Sequence, residues 1–340
     1  MRHPLSDPRF IQLTTWLNNT FSMALSPVLI SGDASVRRYF RVVVNDISYI
    51  VVDSPPEQLV LQQFIDIANI YAENDINVPE VIEKDTQNGF MLLNDLGDTS
   101  LFSILDSDNV EYYYKTALNL LNNITKVKAT AKRELPLYDS AFIRQELEIF
   151  TDWLLKYHLS MTLNTARLNM LEAVFRHLIE NANEQPQVGM HRDYHCRNIM
   201  LKNNTLNLID FQDAVIGPIT YDVVSLLRDC YLRWPDELVS QLMCEHYEQA
   251  RLNGDISTDI SLEQYRRWFD LMGLQRHIKA VGIFARLHHR DQKSAYLADI
   301  PLTLGYIRDV ALSYPELKEF GSWVELELIP QFMNKAENVI

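Results

Sequence analysis

Asp193, Asn198 and Asp210 stand in an order that suits phosphoryl transfer from a nucleoside triphosphate. They fall in the run Met190-His191-Arg192-Asp193-Tyr194-His195-Cys196-Arg197-Asn198-Ile199-Met200 and, beyond it, in Leu208-Ile209-Asp210-Phe211. Such a reaction is mostly positioning and charge management, so a weak carboxylate base in line with the phosphorus suffices. Asp193 is the expected base for the acceptor hydroxyl. Asn198 can fold back across a tight loop and offer a neutral oxygen to Mg2+. Asp210 supplies a charged oxygen from the end of an apolar strand. A rival reading uses His191, Asp193 and His195, whose side chains share a face on an extended segment, as ligands of a metal-dependent hydrolase. That rival leaves Asn198 and Asp210 without a role. No second cluster completes a binuclear site, since His288 and His289 lie in an expected helix and face two directions.

These residues need two kinds of support. A helix is expected over 8–20, then strands over 38–44 and 47–52 joined by Asn45-Asp46, a hairpin signal. Ser54-Pro55-Pro56-Glu57 predicts a helix start, with Ser54 as cap, Glu57 closing a capping box and proline in the first turn. Val60, Phe64, Ile67, Ala68 and Tyr71 share the apolar face of that helix. Further strands are expected over 81–83 and 89–93. From Asp98 onward the pattern is helical, over 108–128, 140–158, 163–181, 221–231, 236–252, 262–290 and 316–335. Only a hairpin of 199–201 and 206–210 around Asn203-Asn204 interrupts it. The expected fold class is α+β. A small antiparallel β-rich lobe over 1–97 binds nucleotide, with a hinge at 94–97. A larger helical lobe over 98–340 carries the catalytic loop and substrate site.

Composition agrees with a folded enzyme and excludes several partners. The 340 residues are 47% hydrophobic and 22% charged, with 10 Gly and 13 Pro, which suits two lobes and not a disordered chain. Against 45 Asp+Glu there are 31 Lys+Arg, a net charge of -14. An acidic surface repels phosphate backbones, so neither nucleic acid nor an anionic membrane is an expected partner. Cys196, Cys230 and Cys244 have no paired metal spacing and read as reduced thiols. The first residues lack an apolar signal core, and no run approaches the ~20 apolar residues that span a bilayer. A cytoplasmic location is expected.

Taken with Ile209-Asp210-Phe211-Gln212-Asp213-Ala214 and Gly217-Pro218-Ile219-Thr220-Tyr221-Asp222, the His191–Asn198 run resembles the aminoglycoside phosphotransferase/choline kinase superfamily. Its fold is protein-kinase-like and two-lobed. Protein kinases usually carry Lys where His195 stands, whereas the small-molecule branch commonly has His. The resemblance implies that Asp222 braces the catalytic loop through backbone amides, with His191 and His195 bracing beside it. Ser31-Gly32-Asp33-Ala34-Ser35-Val36-Arg37-Arg38-Tyr39-Phe40-Arg41-Val42, Asp95-Leu96-Gly97-Asp98 and Leu227-Arg228-Asp229-Cys230-Tyr231 narrow it. So do Arg276-His277-Ile278-Lys279 and Gly282-Ile283-Phe284-Ala285-Arg286-Leu287. These are similar to the bacterial anomeric N-acetylmuramate/N-acetylglucosamine kinases of cell-wall sugar recycling. The resemblance implies an ATP- and Mg2+-dependent phosphorylation of a sugar's anomeric hydroxyl, giving a sugar 1-phosphate.

On the nucleotide side the sequence departs from the common kinase pattern. The expected phosphate loop over 31–38 has one glycine, Gly32, and relies on backbone amides and Ser35 with Ser31. No lysine precedes Lys84, so the strand over 47–52 lacks the usual phosphate-binding cation. Arg37, Arg38 and Arg41 are the candidates to replace it, and Asn94 with Asp95 complete the nucleotide set. For the acceptor, Asp213, Arg228, Asp229, Tyr231 and Trp234 are the expected sugar contacts, since sugars ask for carboxylates, amides and an aromatic face. Two other readings stand beside this one. One is a sibling kinase for an aminoglycoside, choline or homoserine. The other is a catalytically silent kinase-like binding module, for which the missing strand lysine argues.

Overall fold

Asp7 and Pro8 start the first helix for a local reason. The Asp7 carboxylate accepts the Arg9 amide at 3.0 Å, and Pro8 occupies the first turn, where its missing N–H costs nothing. The computed structural model describes residues 7–30, 37–57 and 61–337. It divides into two units, one of Met1–Ser103, Ala129–Arg133 and Asn198–Gln212, the other of Ile104–Lys128, Glu134–Arg197 and Asp213–Ile340.

In the first unit, helix α1 (Pro8–Phe21) precedes strands β1 (Val28–Leu29), β2 (Arg38–Val44) and β3 (Ile47–Asp53). Helix α2 (Leu61–Glu73) and strands β4 (Val81–Asp85) and β5 (Phe90–Asn94) follow. The sheet is antiparallel throughout, in the order β1-β2-β3-β5-β4. Asn45 and Asp46 both adopt positive φ, 50° and 65°, as a two-residue turn matched to strand twist requires. Alternation then sends Phe40, Val42 and Val44 inward with Val51, Phe90 and Leu92, against Leu13 and Leu17 of α1. The expected α2 face is buried at Phe64, Ile67, Ala68 and Tyr71, while Val60 lies outside the described residues. Residues 54–57 are not helical. Ser54 Oγ, the atom that would cap, accepts Arg37 Nε at 3.4 Å, and the Ser54 amide donates to the Gly89 carbonyl at 2.8 Å, which keeps the residue in an extended contact with the sheet.

Helix α3 (Leu101–Ile104) leads on to α4 (Val110–Ile124), α5 (Ser140–Ile149), which runs into a π-helical turn at Phe150–His158, and α6 (Thr165–Glu184). Strands β6 (Gln187–Met190) and β9 (Val215–Pro218) pair antiparallel in the second unit, a ladder the sequence pattern does not reveal because each has four residues. Between them β7 (Ile199–Lys202) and β8 (Thr205–Leu208) form the expected hairpin in the first unit, with Asn203 and Asn204 at φ 50° and 58°. Helices α7 (Tyr221–Leu227), α8 (Asp236–Asn253), α9 (Leu262–Asp291), α10 (Ile300–Ser313), α11 (Lys318–Trp323) and α12 (Ile329–Glu337) complete the chain. Two helical expectations change. The helix expected over 221–231 ends at Leu227, leaving 228–231 irregular, and α10 was not expected. Pro301 sits in its first turn, where proline is tolerated.

The α+β expectation of an antiparallel N-terminal sheet with a helical remainder is borne out. No helix among the described residues is long and apolar enough to cross a membrane.

Two buried histidines make the second unit acid-sensitive. His246 pairs Nδ1 with Tyr265 OH at 2.6 Å, and burial lowers its pKa to about 4. His277 lies 2.8 Å from the Arg228 carbonyl through Nε2 and stacks on Tyr306 at 4.7 Å, with burial lowering its pKa to about 3. Both fall below the free value near 6.5, so between pH 6.5 and 4 the unfolded chain binds more protons than the folded one. Stability is therefore present above 6.5 and is lost as pH falls. The denaturation midpoint is expected to drop steadily across that window; a flat midpoint to pH 4.5 would show that neither site resists protonation.

Candidate active site

Strand β6 ends at Met190 and hands the chain to His191, Arg192 and Asp193. Arg192 has φ 76°, a left-handed conformation that costs an L-residue about 1–2 kcal/mol. Asp222, in the first turn of α7, offsets that cost. Its carboxylate accepts the amides of His191 at 2.6 Å and Arg192 at 3.1 Å, and hydrogen bonds to a charged group contribute about 1.5–3 kcal/mol each. Burial pushes the Asp222 pKa up to about 7, against those amides and Arg276. Tyr194 is fully buried and donates to the Ala117 carbonyl at 2.7 Å, which pins the loop on α4. Asp229 braces it further on, accepting the Cys196 amide at 3.1 Å and the Tyr231 amide at 3.0 Å.

Asp193 itself is half-buried. Burial alone would raise its pKa, but Lys279, then Arg192, His195 and Arg276, hold it below the usual carboxylate range. These cations are set by a buried network. Glu146 of α5 accepts Arg192 Nη2 at 2.9 Å and Lys279 Nζ at 2.8 Å, and Tyr138 OH donates to it as well. Lys279 also donates to Tyr221 OH at 3.0 Å. Sequence reasoning missed Glu146 and Lys279 as supports. The available signal was a charge on an apolar stripe, since Ile143, Glu146, Leu147 and Phe150 are buried together.

The remaining acceptor candidates are distributed differently. Tyr231 packs its ring edge-on to His195 at 5.4 Å and lies under the Arg197 guanidinium at 3.6 Å. Arg228 pairs with Asp270 at 2.7 Å, and Trp234 Nε1 donates to Tyr114 OH at 3.1 Å, so both are occupied by protein partners. Asp213 is exposed.

The first unit holds the other half of the motif. Asn198 closes a 3-10 turn, and its carbonyl accepts the Ile209 amide at 3.0 Å. Asp210 lies two residues past the end of β8, not in the strand, with φ 63°. Aspartate tolerates that conformation better than most residues, and Phe211 beside it is fully buried against Phe64 at 4.7 Å and Tyr71 at 5.8 Å. Burying such a ring contributes about 1.5–3 kcal/mol, enough to outweigh the strain. Gln212 Nε2 donates to Asp210 Oδ1 at 2.7 Å and orients the carboxylate.

Among the nucleotide candidates, Ser31, Gly32 and Ser35 lie outside the described residues. Arg38 bridges Asp53 and Asp7, and Arg41 bridges Asp95 at 2.6 Å and Asp98 at 2.8 Å. Asp95 also accepts Ser48 Oγ and the Gly97 amide, and Asn94 accepts the Glu80 amide at 2.9 Å. Arg37 differs. It is buried, donates to Ser54 Oγ at 3.4 Å and lies over the Phe64 ring. The Tyr39 phenol, its pKa raised by burial, interacts with both Arg37 and Asp210.

Among the described residues, one group of three side chains has metal-ligand spacing, and it is not the His191/Asp193/His195 set. His158, His288 and His289 bring ring nitrogens within 4.8 Å of one another, which corrects the expectation that His288 and His289 diverge. All three cysteines are free thiols.

The family model described as "Phosphotransferase enzyme family" matches residues 27–255. An N-acetylmuramate/N-acetylglucosamine kinase of Pseudomonas aeruginosa is 38% identical over 328 residues, covering 93% of this chain and 96% of that one. A protein of the same name from Pseudomonas putida is 37% identical, with 94% and 97% coverage. Among solved structures, the ADP-bound aminoglycoside phosphotransferase APH(2'')-Ib has a TM-score of 0.60 at 13% identity, covering 88% of this chain and 98% of that one, a likeness of fold. The resemblance drawn from the sequence motifs is borne out.

Proposed function

From the premise that this chain belongs to the phosphotransferase enzyme family, we propose that it transfers the γ-phosphoryl group of ATP to the anomeric hydroxyl of N-acetylmuramate and N-acetylglucosamine. The near full-length similarity to kinases of that name carries the acceptor class. Asp193 carries the chemistry. Held ionised by Lys279 and Arg192, it takes the hydroxyl proton as the oxygen attacks phosphorus. Asp222 and Asp229 keep the loop from relaxing by occupying its amides. Asn198 and Asp210 fit magnesium, being hard oxygen donors with the carboxylate oriented by Gln212. Bound there, magnesium would neutralise charge on the phosphate oxygens. His191 and His195 shape the loop, His195 by packing on Tyr231.

For the missing strand lysine the replacement is Arg37. Arg38 holds Asp7 and Asp53 and Arg41 holds Asp95 and Asp98, while Arg37 donates to Ser54 Oγ and shares Tyr39 as a neighbour with Asp210, the charged magnesium-ligand candidate. Arg37→Ala is expected to raise the Michaelis constant for ATP at least ~10-fold, the loss of one charge-assisted contact. Arg38→Ala and Arg41→Ala should act mainly on the denaturation midpoint. An ATP constant moved equally by all three, or by none, removes Arg37 from this role.

The reaction itself is tested by phosphorus NMR after incubation with ATP, Mg2+ and either sugar. A sugar 1-phosphate is expected. Phosphate on the six-position instead would move the enzyme to another sugar-kinase class.

A further inference from the structure

N-acetylmuramate differs from N-acetylglucosamine by a lactyl ether that ends in a carboxylate. An acceptor site that distinguishes them needs a cation that is not already neutralised by the protein and that a ligand can reach. This inference rests on the acceptor reading above.

Helix α9 lines up its cations along one side, which begins at the catalytic loop with Arg276 and Lys279 beside Asp193. Arg276, Lys279, Ile283, Arg286 and Arg290 follow one another at spacings of three and four, so they share one side of the helix. Lys279 is bound to the same Glu146 oxygen as Arg192, the neighbour of Asp193. Arg286 lies two turns further along, about 10 Å by helical rise, on the scale of a pyranose with its lactyl arm. A Cβ on Gly282 would meet the backbone of Ile149 and Phe150 at 2.6–2.8 Å, so α9 presses tightly on the end of α5 between the two cations. Beside this line Tyr231, Phe284 and Tyr296 make an aromatic series, with ring centroids 6.2 and 5.7 Å apart, that starts at His195 of the catalytic loop. Such a surface suits the apolar face of a sugar ring.

The cations on this side are not equivalent. Lys279 is taken up by Glu146 and Tyr221, and Arg290 by Asp291 at 2.9 Å. Arg276 is buried over the Tyr221 ring and faces the Asp193 and Asp229 carboxylates. Arg286 is half-buried, and among the described residues no carboxylate lies within ion-pair distance of it. Its Nε is buried and unbonded. Burial and then Arg290 lower its pKa, and the Asp291 and Glu146 carboxylates oppose them from beyond ion-pair distance. A guanidinium in that condition is prepared for a planar anion, because its fork matches both carboxylate oxygens.

We propose that Arg286 is the acceptor-specificity residue, binding the lactyl carboxylate of N-acetylmuramate. Arg228, one of the expected sugar contacts, is committed to Asp270.

The test compares kcat/KM for N-acetylmuramate, for its lactyl amide and for N-acetylglucosamine in the wild type, Arg286→Gln and Arg286→Lys. Arg286→Gln is expected to lower the N-acetylmuramate/N-acetylglucosamine ratio roughly 10- to 100-fold, mainly through KM, with Arg286→Lys between. Amidation should cost the wild type a similar factor and cost Arg286→Gln almost nothing, since both changes remove the same contact. A ratio that moves less than ~3-fold while the wild type phosphorylates both sugars overturns the role of Arg286 alone, as does an amide penalty equal in both proteins. Turnover of neither sugar by the wild type overturns the acceptor reading and this inference with it.

Discussion

Asp193→Asn is expected to lower kcat by roughly 10²–10⁴-fold while leaving ATP binding near wild type, the range typical for removing a positioned general base. The substitution keeps the shape of the side chain but cannot take a proton. The loop should survive it, because Asp222, Asp229 and Tyr194 hold its geometry. Steady-state kinetics with N-acetylglucosamine, beside a nucleotide-binding titration, separate the chemical step from binding. The pH profile adds an independent check. Since the cations around it hold Asp193 below the usual carboxylate range, the acid limb of kcat/KM in the wild type should lie below that of an ordinary aspartate. A variant within ~10-fold of wild type would remove Asp193 from the base role.

The second large effect concerns stability. Glu146→Gln should destabilise the protein by about 3–5 kcal/mol, because it leaves Arg192 and Lys279 buried without their shared counter-charge. That is a large part of the 5–15 kcal/mol typical of a folded domain. Glu146 is buried, yet Lys279 and Arg192 hold its pKa below the usual range against desolvation. Its contribution is therefore present above the unfolded value near 4.3 and is lost as pH falls through the folded value, so neutral pH shows the full effect. Urea denaturation is the measurement, with the midpoint falling and the slope unchanged. Adding Lys279→Met to Glu146→Gln should recover part of the loss, since it removes one of the stranded charges. A change below ~1 kcal/mol would mean that the network is solvated and only loosely coupled.

Much of this site was legible in the chain because its signals are local. Asn45-Asp46 and Asn203-Asn204 mark hairpins by their tolerance of positive φ, and strand alternation identifies the face of β2 that packs on α1. The Asp193-to-Asn198 spacing and Asp210 behind a short hairpin belong to the same class of signal, readable without knowing what packs where. The failures share a cause as well. Ser54 looked like a helix cap because its neighbours suit one, but Arg37, 17 residues away, claims its Oγ and the Gly89 carbonyl its amide. The helix expected through Tyr231 stops at Leu227, where Asp229 turns back to hold Cys196 and Tyr231.

Charge is where the two levels part. Sequence alone determined the reaction type, the order of the candidate base and oxygen ligands, the acidic balance and the absence of a strand lysine, because each follows from residue identity and short spacing. Only tertiary structure decided which carboxylates Arg38 and Arg41 hold, that Glu146 and Lys279 support the loop around Asp193, and that Arg228 pairs with Asp270 while Arg286 has no carboxylate at ion-pair distance among the described residues. A charge's role depends on what lies within a few ångströms of it, and those partners, such as Asp95 for Arg41 or Asp270 for Arg228, stand 42 to 54 residues away in the chain.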